Sequence, residues 1–323
     1  MKAIHYRRYG PPDVLELVDL DPPPVGDDDV LVRVRTTSVN PLEAHLMRGE
    51  PYLVRAVMGL PRPRTGRLGA DLAGVVEAVG RNVTTYRAGD EVFGYGTGTW
   101  AEYVALRADG VLLPKPERLT FEQAGAVGIA AFTALQALRK KAGVRAGQHV
   151  LVNGASGGVG TFTVQVAKAL GAEVTGVCST RNVELVRSIG ADHVVDYTAE
   201  NFTAGEPRYD AVIDIAGSRT PSEIKRVLTR KGVLVSVGGP IKGMWVSPLT
   251  GPLTLAVRSL FGSQTLTPML AKGNLADLEV LRDLLAAGTV TPVVDRTFPL
   301  ADAAAAIRYL EDEHARGKVV LTV

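Results

Sequence analysis

A chain of 323 residues is long enough for about two domains at the usual ~150 residues each, and 46% hydrophobic against 22% charged residues places it among folded globular proteins. Lys and Arg number 36 against 34 Asp and Glu, a net charge of +2, too near balance for bulk charge to recruit nucleic acid or a membrane surface. The single cysteine, Cys178, excludes an intramolecular disulfide and any metal lobe built from several thiolates, and makes a reducing cytoplasm the expected compartment. No apolar run follows Lys2, Arg7 and Arg8 that would read as a signal peptide. The longest uncharged apolar stretch, 124–138, is shorter than the ~20 residues of a spanning helix, so a soluble chain with no membrane partner is expected.

From residue 2 to about 110 the sequence reads as short strands (30–36, 73–79, 91–93, 101–106) punctuated by Gly, Pro and Asp, with little helical periodicity. From about Phe121 short β-branched runs alternate with amphipathic segments, the signature of βαβ units and a parallel sheet. Strands are expected at 149–153, 173–178, 193–195, 211–215 and 233–237, with helices at 159–170, 182–189 and 221–229. Past Gly239 the pattern loosens, and 240–262 reads as a lid or a subunit contact. The tail resumes with a helix at 276–287, a strand near Thr297, a helix at 301–311 and a strand at 318–323.

The expected strand 149–153 runs through Gly154-Ala155-Ser156-Gly157-Gly158-Val159-Gly160 directly into a helix. An A-x-G-x-x-G turn in that context suits a dinucleotide: Gly157 admits the pyrophosphate to the backbone, Gly160 lets helix pack on strand, and the helix start supplies N–H donors. About twenty residues on, where an NAD-preferring site places an acid for the ribose hydroxyls, stand Cys178-Ser179-Thr180-Arg181. Ser179 and Thr180 can donate to a 2′-phosphate and Arg181 can pair with it, which favours NADPH. The plainer reading, Ser179 as a helix cap and Arg181 as a solvated first-turn residue, is compatible with it. Cys178 reads as a small core residue.

The order and spacing of these stretches together with Ser38-Val39-Asn40-Pro41, Gly69-Ala70-Asp71-Leu72-Ala73-Gly74, Gly89-Asp90-Glu91-Val92-Phe93-Gly94, Ala101-Glu102-Tyr103, Asp210-Ala211-Val212-Ile213-Asp214 and Gly317-Lys318-Val319 resemble the medium-chain dehydrogenase/reductase superfamily. The likeness is to its zinc-free, zeta-crystallin-like quinone oxidoreductase branch and covers nearly the whole chain. It implies an α/β architecture: a GroES-like, β-rich catalytic domain over 1–120 completed by 275–323, and a Rossmann doubly wound NADP(H)-binding domain over 121–274, with substrate in the cleft between them. It also implies a homodimer. Zinc-dependent relatives carry a Cys three residues before an Asp and five before a His; here Asn40, Glu43 and His45 stand at those positions, and Gly69-Ala70-Asp71 replaces a Gly-His-Glu. With the thiolate and second imidazole absent, no metal is expected.

A metal-free site suits hydride acceptors that spread charge by conjugation, namely quinones and α,β-unsaturated carbonyls. Asn40, His45 and Tyr52 are the candidate catalytic donors, although Asn40 before Pro41 is also a turn former. For the cofactor the resemblance adds Thr133, Tyr197, Gly238, Gly239 and Lys318. Ile241, Met244, Trp245, Leu253 and Phe261 suit either an apolar substrate wall or a dimer surface. The alternatives are a carbonyl or 2-enoyl thioester reductase, for which Arg62, Arg64 and Arg67 offer a basic run, and an idle NADPH-binding protein. The latter would bind RNA through Arg139, Lys140, Lys141 and Arg145, but no aromatic platform accompanies them and no nucleic-acid partner is expected.

Overall fold

The computed structural model describes every residue except Pro207, 238–262 and His314, together with the side chains of Leu53, Val54 and Val57 left aside. The chain divides into one unit of Met1–Ala130, Gly273–Ala287 and Pro292–Val323, and a second of Ala131–Lys272 and Gly288–Thr291.

In the first unit β1 (Lys2–His5) pairs antiparallel with β2 (Glu16–Asp19). A seven-stranded sheet is built around β3 (Asp29–Val39), whose alternating Val30, Val32 and Val34 enter a core with Leu72, Val76, Val92, Val104 and Leu112. One edge of β3 pairs with β4 (Asp71–Val79). The other edge is shared, its first half with β6 (Tyr103–Arg107) and its last four residues with β15 (Lys318–Thr322). Strands β5 (Glu91–Tyr95) and β7 (Leu112–Pro114) extend the sheet beyond β4, and β14 (Val294–Pro299) lies parallel to β15. Because β4 and β15 both run antiparallel to β3, the end of β3 and the starts of β4 and β15 fall together.

Two short helices fall within the stretch expected to show little helical periodicity: α1 (Pro41–Arg48) and α2 (Leu53–Met58). Helix α1 starts with Pro at its first position and with the Glu43 carboxylate accepting from the Asn40 backbone N–H at 2.8 Å, half of a capping box. The unit also holds α3 (Phe121–Gly125), which packs on β3 and β4, so the division falls after Ala130 rather than at 120.

Helix α4 (Gly128–Gln136) crosses that division and continues as one π-helical turn, Ala137–Ala142, on which Arg139, Lys140 and Lys141 are exposed. The second unit is a parallel sheet of β8 (His149–Asn153), β9 (Glu173–Cys178), β10 (His193–Asp196), β11 (Tyr209–Asp214), β12 (Leu228–Ser236) and β13 (Thr265–Pro268), in the order β10-β9-β8-β11-β12-β13. Numbered within the sheet this is 3-2-1-4-5-6, the doubly wound dinucleotide order, whose switch point lies between β8 and β11. Helices α5 (Gly158–Ala169), α6 (Val183–Ser188) and α7 (Pro221–Val227) make the crossovers. Strand β12 starts five residues before the expected 233, since Leu228 pairs with Tyr209 and is buried beside it. The tail adds α8 (Leu275–Ala286) and α9 (Ala303–Asp312) to the first unit.

Candidate functional sites

In the second unit the glycine turn sits at the end of β8. Ala155 is buried and its N–H donates to the Val177 carbonyl at 3.0 Å, while Ser156, Gly157, Gly158 and Val159 are partly exposed. The glycines differ in purpose. A Cβ on Gly160 would lie 2.0 Å from the Gly154 carbonyl oxygen, so its absence is a packing demand; a Cβ on Gly157 would meet only that oxygen, at an ordinary 3.6 Å. Space beside Gly157 is therefore open on the side away from the protein. Gly157 caps α5 without a side-chain bond, and a helix leaves its first N–H groups without intrahelical acceptors, so the start of α5 presents donors and positive dipole to an anion.

Ser156 is tied to the end of β9: Asn182 Nδ2 donates to Ser156 Oγ at 3.0 Å and to Ser179 Oγ at 3.3 Å, and Asn182 Oδ1 is buried without a hydrogen-bond partner. Ser179 precedes a single 3-10 turn, Thr180–Asn182, and makes no side-chain cap there. Arg181 is exposed, and Tyr197, 53% exposed, is held by its N–H on the Cys178 carbonyl at 3.0 Å. Burial pushes the Cys178 thiol up to about 11, with the Asp196 charge adding to it, which keeps it protonated and unreactive. At the switch point Asn153 Nδ2 donates to Asp214 Oδ1 at 2.7 Å, and burial holds that carboxyl above its usual range. Thr133 is a buried residue in the second half of α4. Gly238, Gly239, Ile241, Met244, Trp245, Leu253 and Phe261 lie outside the described residues.

In the first unit the meeting of three strand ends gathers a polar cluster. Asn40 follows β3, Asp71 opens β4 and Lys318 opens β15; these and Glu43 are all buried, none more than 3% exposed. Lys318 Nζ donates to Asn40 Oδ1 and lies 3.5 Å from Asp71 Oδ2. Asn40 Nδ2 donates to the same carboxylate at 3.0 Å, Ser38 Oγ donates to it as well, and the Ile129 backbone N–H reaches Asp71 Oδ1 at 2.7 Å. Asp71 thus holds the first turn of α4, and Gly128 has to be glycine, since a Cβ there would lie 1.8 Å from Asp71 Oδ1. Every part of the Asp71 carboxylate is satisfied, the condition for keeping an ion pair inside a protein.

Glu43 is less fully satisfied. Oε2 accepts from Asn40, but Oε1 has no partner. Burial, reinforced by the Asp71 charge and opposed by the Lys318 charge, pushes this carboxyl up to about 8, so it is mostly protonated at neutral pH. Tyr95, half-buried on β5, is likewise raised by burial and by the Asp71 and Glu43 charges.

Of the three expected catalytic donors, Asn40 alone belongs to this cluster, with both ends of its amide engaged. His45 is half-buried on α1, and burial holds its imidazole below its usual range, in the neutral form at pH 7. Tyr52 is half-buried before α2 with the Arg55 guanidinium 4.5 Å from its ring centroid; the same guanidinium is 4.7 Å from that of Tyr9. Lys318, expected at the cofactor, is spent on Asn40 and Asp71. Sequence reasoning missed the roles of Asp71, Ser38 and Glu43 as its neighbours; only the Asn40-Pro41-x-Glu43 spacing carried a readable signal. Arg62 and Arg64 are exposed, and two guanidinium nitrogens of Arg67 are buried without partners. Among the described residues no three His, Cys, Asp or Glu side chains gather as a metal site, and no helix is long and apolar enough to cross a membrane.

Comparison with known proteins matches residues 26–117 to the alcohol dehydrogenase GroES-like domain and 189–321 to a family described as zinc-binding dehydrogenase. A chloroplast envelope quinone oxidoreductase homolog of Arabidopsis thaliana is 32% identical, over 99% of this chain and 98% of its own length. Among solved structures, the quinone oxidoreductase from Coxiella burnetii superposes with a TM-score of 0.86 at 31% identity, covering 100% of this chain and 99% of its own. Escherichia coli quinone oxidoreductase complexed with NADPH superposes with a TM-score of 0.82 at 25% identity, covering 100% of both chains.

Proposed function

Since the chain belongs to the medium-chain dehydrogenase/reductase superfamily, in its quinone oxidoreductase branch, we propose that it transfers a hydride from NADPH to a quinone or an α,β-unsaturated carbonyl without a metal ion. The observation that carries the metal-independent part is the Lys318 ammonium bonded to Asn40 beside Asp71. Asn40 and Ala70 stand where zinc-dependent relatives have a thiolate and an imidazole, and a dication brought to the Asn40 oxygen would meet a buried positive charge already seated there. The residues present do not fit zinc, although one matching family is described as zinc-binding. No step runs through a metal.

A pyridine nucleotide does fit. The open face of Gly157 leaves room for a pyrophosphate, and the N–H groups of Gly158, Val159 and Gly160 at the start of α5 would hold it. Ser179 and Arg181 would take a 2′-phosphate at the end of β9, with Tyr197 beside them and Thr133 toward the nicotinamide. When bound, the nicotinamide supplies the hydride. The chain's own part is to orient the acceptor and to deliver a proton to the enolate or quinolate anion that hydride addition leaves. A conjugated acceptor spreads the arriving charge, so a single donor suffices. Tyr52 is that donor in this reading, with solvent as the other source; the neutral His45 ring offers a hydrogen bond rather than a ready proton. Asn40, its amide fixed at both ends, is a positioning residue that holds Lys318 against Asp71.

The test is NADPH oxidation followed by absorbance with a simple quinone, an α,β-unsaturated ketone and a 2-enoyl thioester as acceptors, run with and without chelator. Turnover that survives chelation supports the reading, and the preferred acceptor names the substrate class. Turnover abolished by chelator overturns the metal-free part, and no turnover with any acceptor overturns the reaction.

A further inference from the structure

The sequence places no carboxylate at the end of β9, where a doubly wound fold selects the adenosine ribose, but the sheet supplies one from the next strand. Parallel pairing sets Asp196, the last residue of β10, opposite Cys178, the last of β9. Both oxygens of Asp196 are engaged. Oδ2 accepts from the Thr180 hydroxyl at 2.6 Å, and Oδ1 accepts from the Thr198 backbone N–H at 2.9 Å and the Thr198 hydroxyl at 2.8 Å. These bonds, that from Thr180 foremost, hold the Asp196 carboxyl below the usual carboxylate range, so it is charged at neutral pH.

A hydroxyl has one proton to give. That of Thr180 goes to Asp196 at 2.6 Å, so in its 2.9 Å contact with the Thr198 hydroxyl Thr180 can only accept, and it has only lone pairs left to offer a ligand. Lone pairs accept from a ribose 2′-hydroxyl and repel the oxygens of a 2′-phosphate. The carboxylate itself, beside the same position, disfavours a phosphate dianion. Opposing it are Ser179, whose oxygen accepts from Asn182 and whose proton is free to be donated, and the Arg181 cation.

We propose that Asp196, acting through Thr180, narrows the choice between the two nucleotides: it turns Thr180 into an acceptor, weakens the hold on a 2′-phosphate, and lets the enzyme use NADH beside NADPH. This rests on the reading of the second unit as a pyridine-nucleotide site. Asp196 is a positioning residue, and its signature is a change in the ratio of two affinities, which a purely structural role would leave alone.

The experiment titrates the full chain with NADPH and NADH separately, by nucleotide fluorescence with no acceptor present, for wild type, Asp196→Asn and Thr180→Val. In wild type the two Kd values are expected within about tenfold of each other. Asp196→Asn keeps the shape, removes the charge and frees the Thr180 proton; NADPH should tighten by about tenfold or more, ~1.4 kcal/mol, with NADH unchanged or weaker. Thr180→Val, which removes the acceptor, should weaken NADH more than NADPH. The inference is overturned if Asp196→Asn moves both affinities by one factor or neither, or if wild type already prefers NADPH by about a hundredfold. Binding of neither nucleotide to wild type would overturn the nucleotide reading as well. Because no acceptor is present, failure of the proposed reduction cannot imitate any of these results.

Discussion

Replacing Glu43 with glutamine should remove a pH dependence that the fold builds into the first unit. The carboxyl has an ordinary value of 4.5 and is pushed up to about 8, by burial first and by the Asp71 charge second. Between those values the native protein holds a proton that the unfolded chain has lost, so stability falls as pH rises through that window and levels off above about 8. At ~1.36 kcal/mol per pH unit the full interval amounts to roughly 4–5 kcal/mol, an upper figure because relaxation around a newly charged group reduces it. Glutamine keeps the acceptor for the Asn40 N–H and cannot titrate. Wild type and Glu43→Gln should therefore have similar stability at pH 5, and the variant should be more stable by ~2–4 kcal/mol at pH 8.5. The assay is urea unfolding across that range, followed by Trp100, which is buried in this unit with its indole N–H on the Ser38 carbonyl at 3.1 Å; a Trp245→Phe background isolates its signal. Parallel stability curves for the two proteins, or a variant less stable at pH 8.5, would refute the reasoning.

The Asp71 and Lys318 charges should prove strongly coupled. Lys318→Met leaves a buried carboxylate short of its cation and should cost about 3–5 kcal/mol, while adding Asp71→Asn should restore part of the loss; thermal unfolding of the four proteins gives the coupling directly, and strictly additive losses would count against it. The two glycines of the turn should separate fold from function. Gly160→Ala forces a Cβ to within 2.0 Å of the Gly154 oxygen and should lower the unfolding temperature, at a cost of about 1–3 kcal/mol or more. Gly157→Ala, whose Cβ would have ordinary contact at 3.6 Å, should leave that temperature nearly unchanged and weaken nucleotide binding about tenfold or more; the pair is read by thermal unfolding beside nucleotide titration.

Local patterns carried much of this protein. Alternating β-branched runs and amphipathic segments placed β8, β9 and β11 and the crossover helix α5 close to where they are found, because strand and helix periods are properties of a few adjacent residues. The A-x-G-x-x-G turn was legible for the same reason. Helix α1 was legible in principle and went unread: Asn40-Pro41-x-Glu43 has the form of a helix start, as Thr220-Pro221-x-Glu223 does for α7, but eight residues of α1 give too short a run for periodicity to stand out.

The polar clusters were not legible, since they depend on pairing between distant strands. The sequence alone determined the glycine turn, the lack of an acid at the end of β9, and the absence of a thiolate before His45. Register decided the rest. Lys318 meets Asn40, 278 residues away in the chain, because β15 and β4 flank β3 with their starts at its end. Asp196 meets Thr180 because β10 lies parallel to β9 with its last residue opposite Cys178. In both cases a charge acquires its meaning from the neighbour that sheet pairing assigns to it, and sheet pairing is settled only when the whole chain has packed.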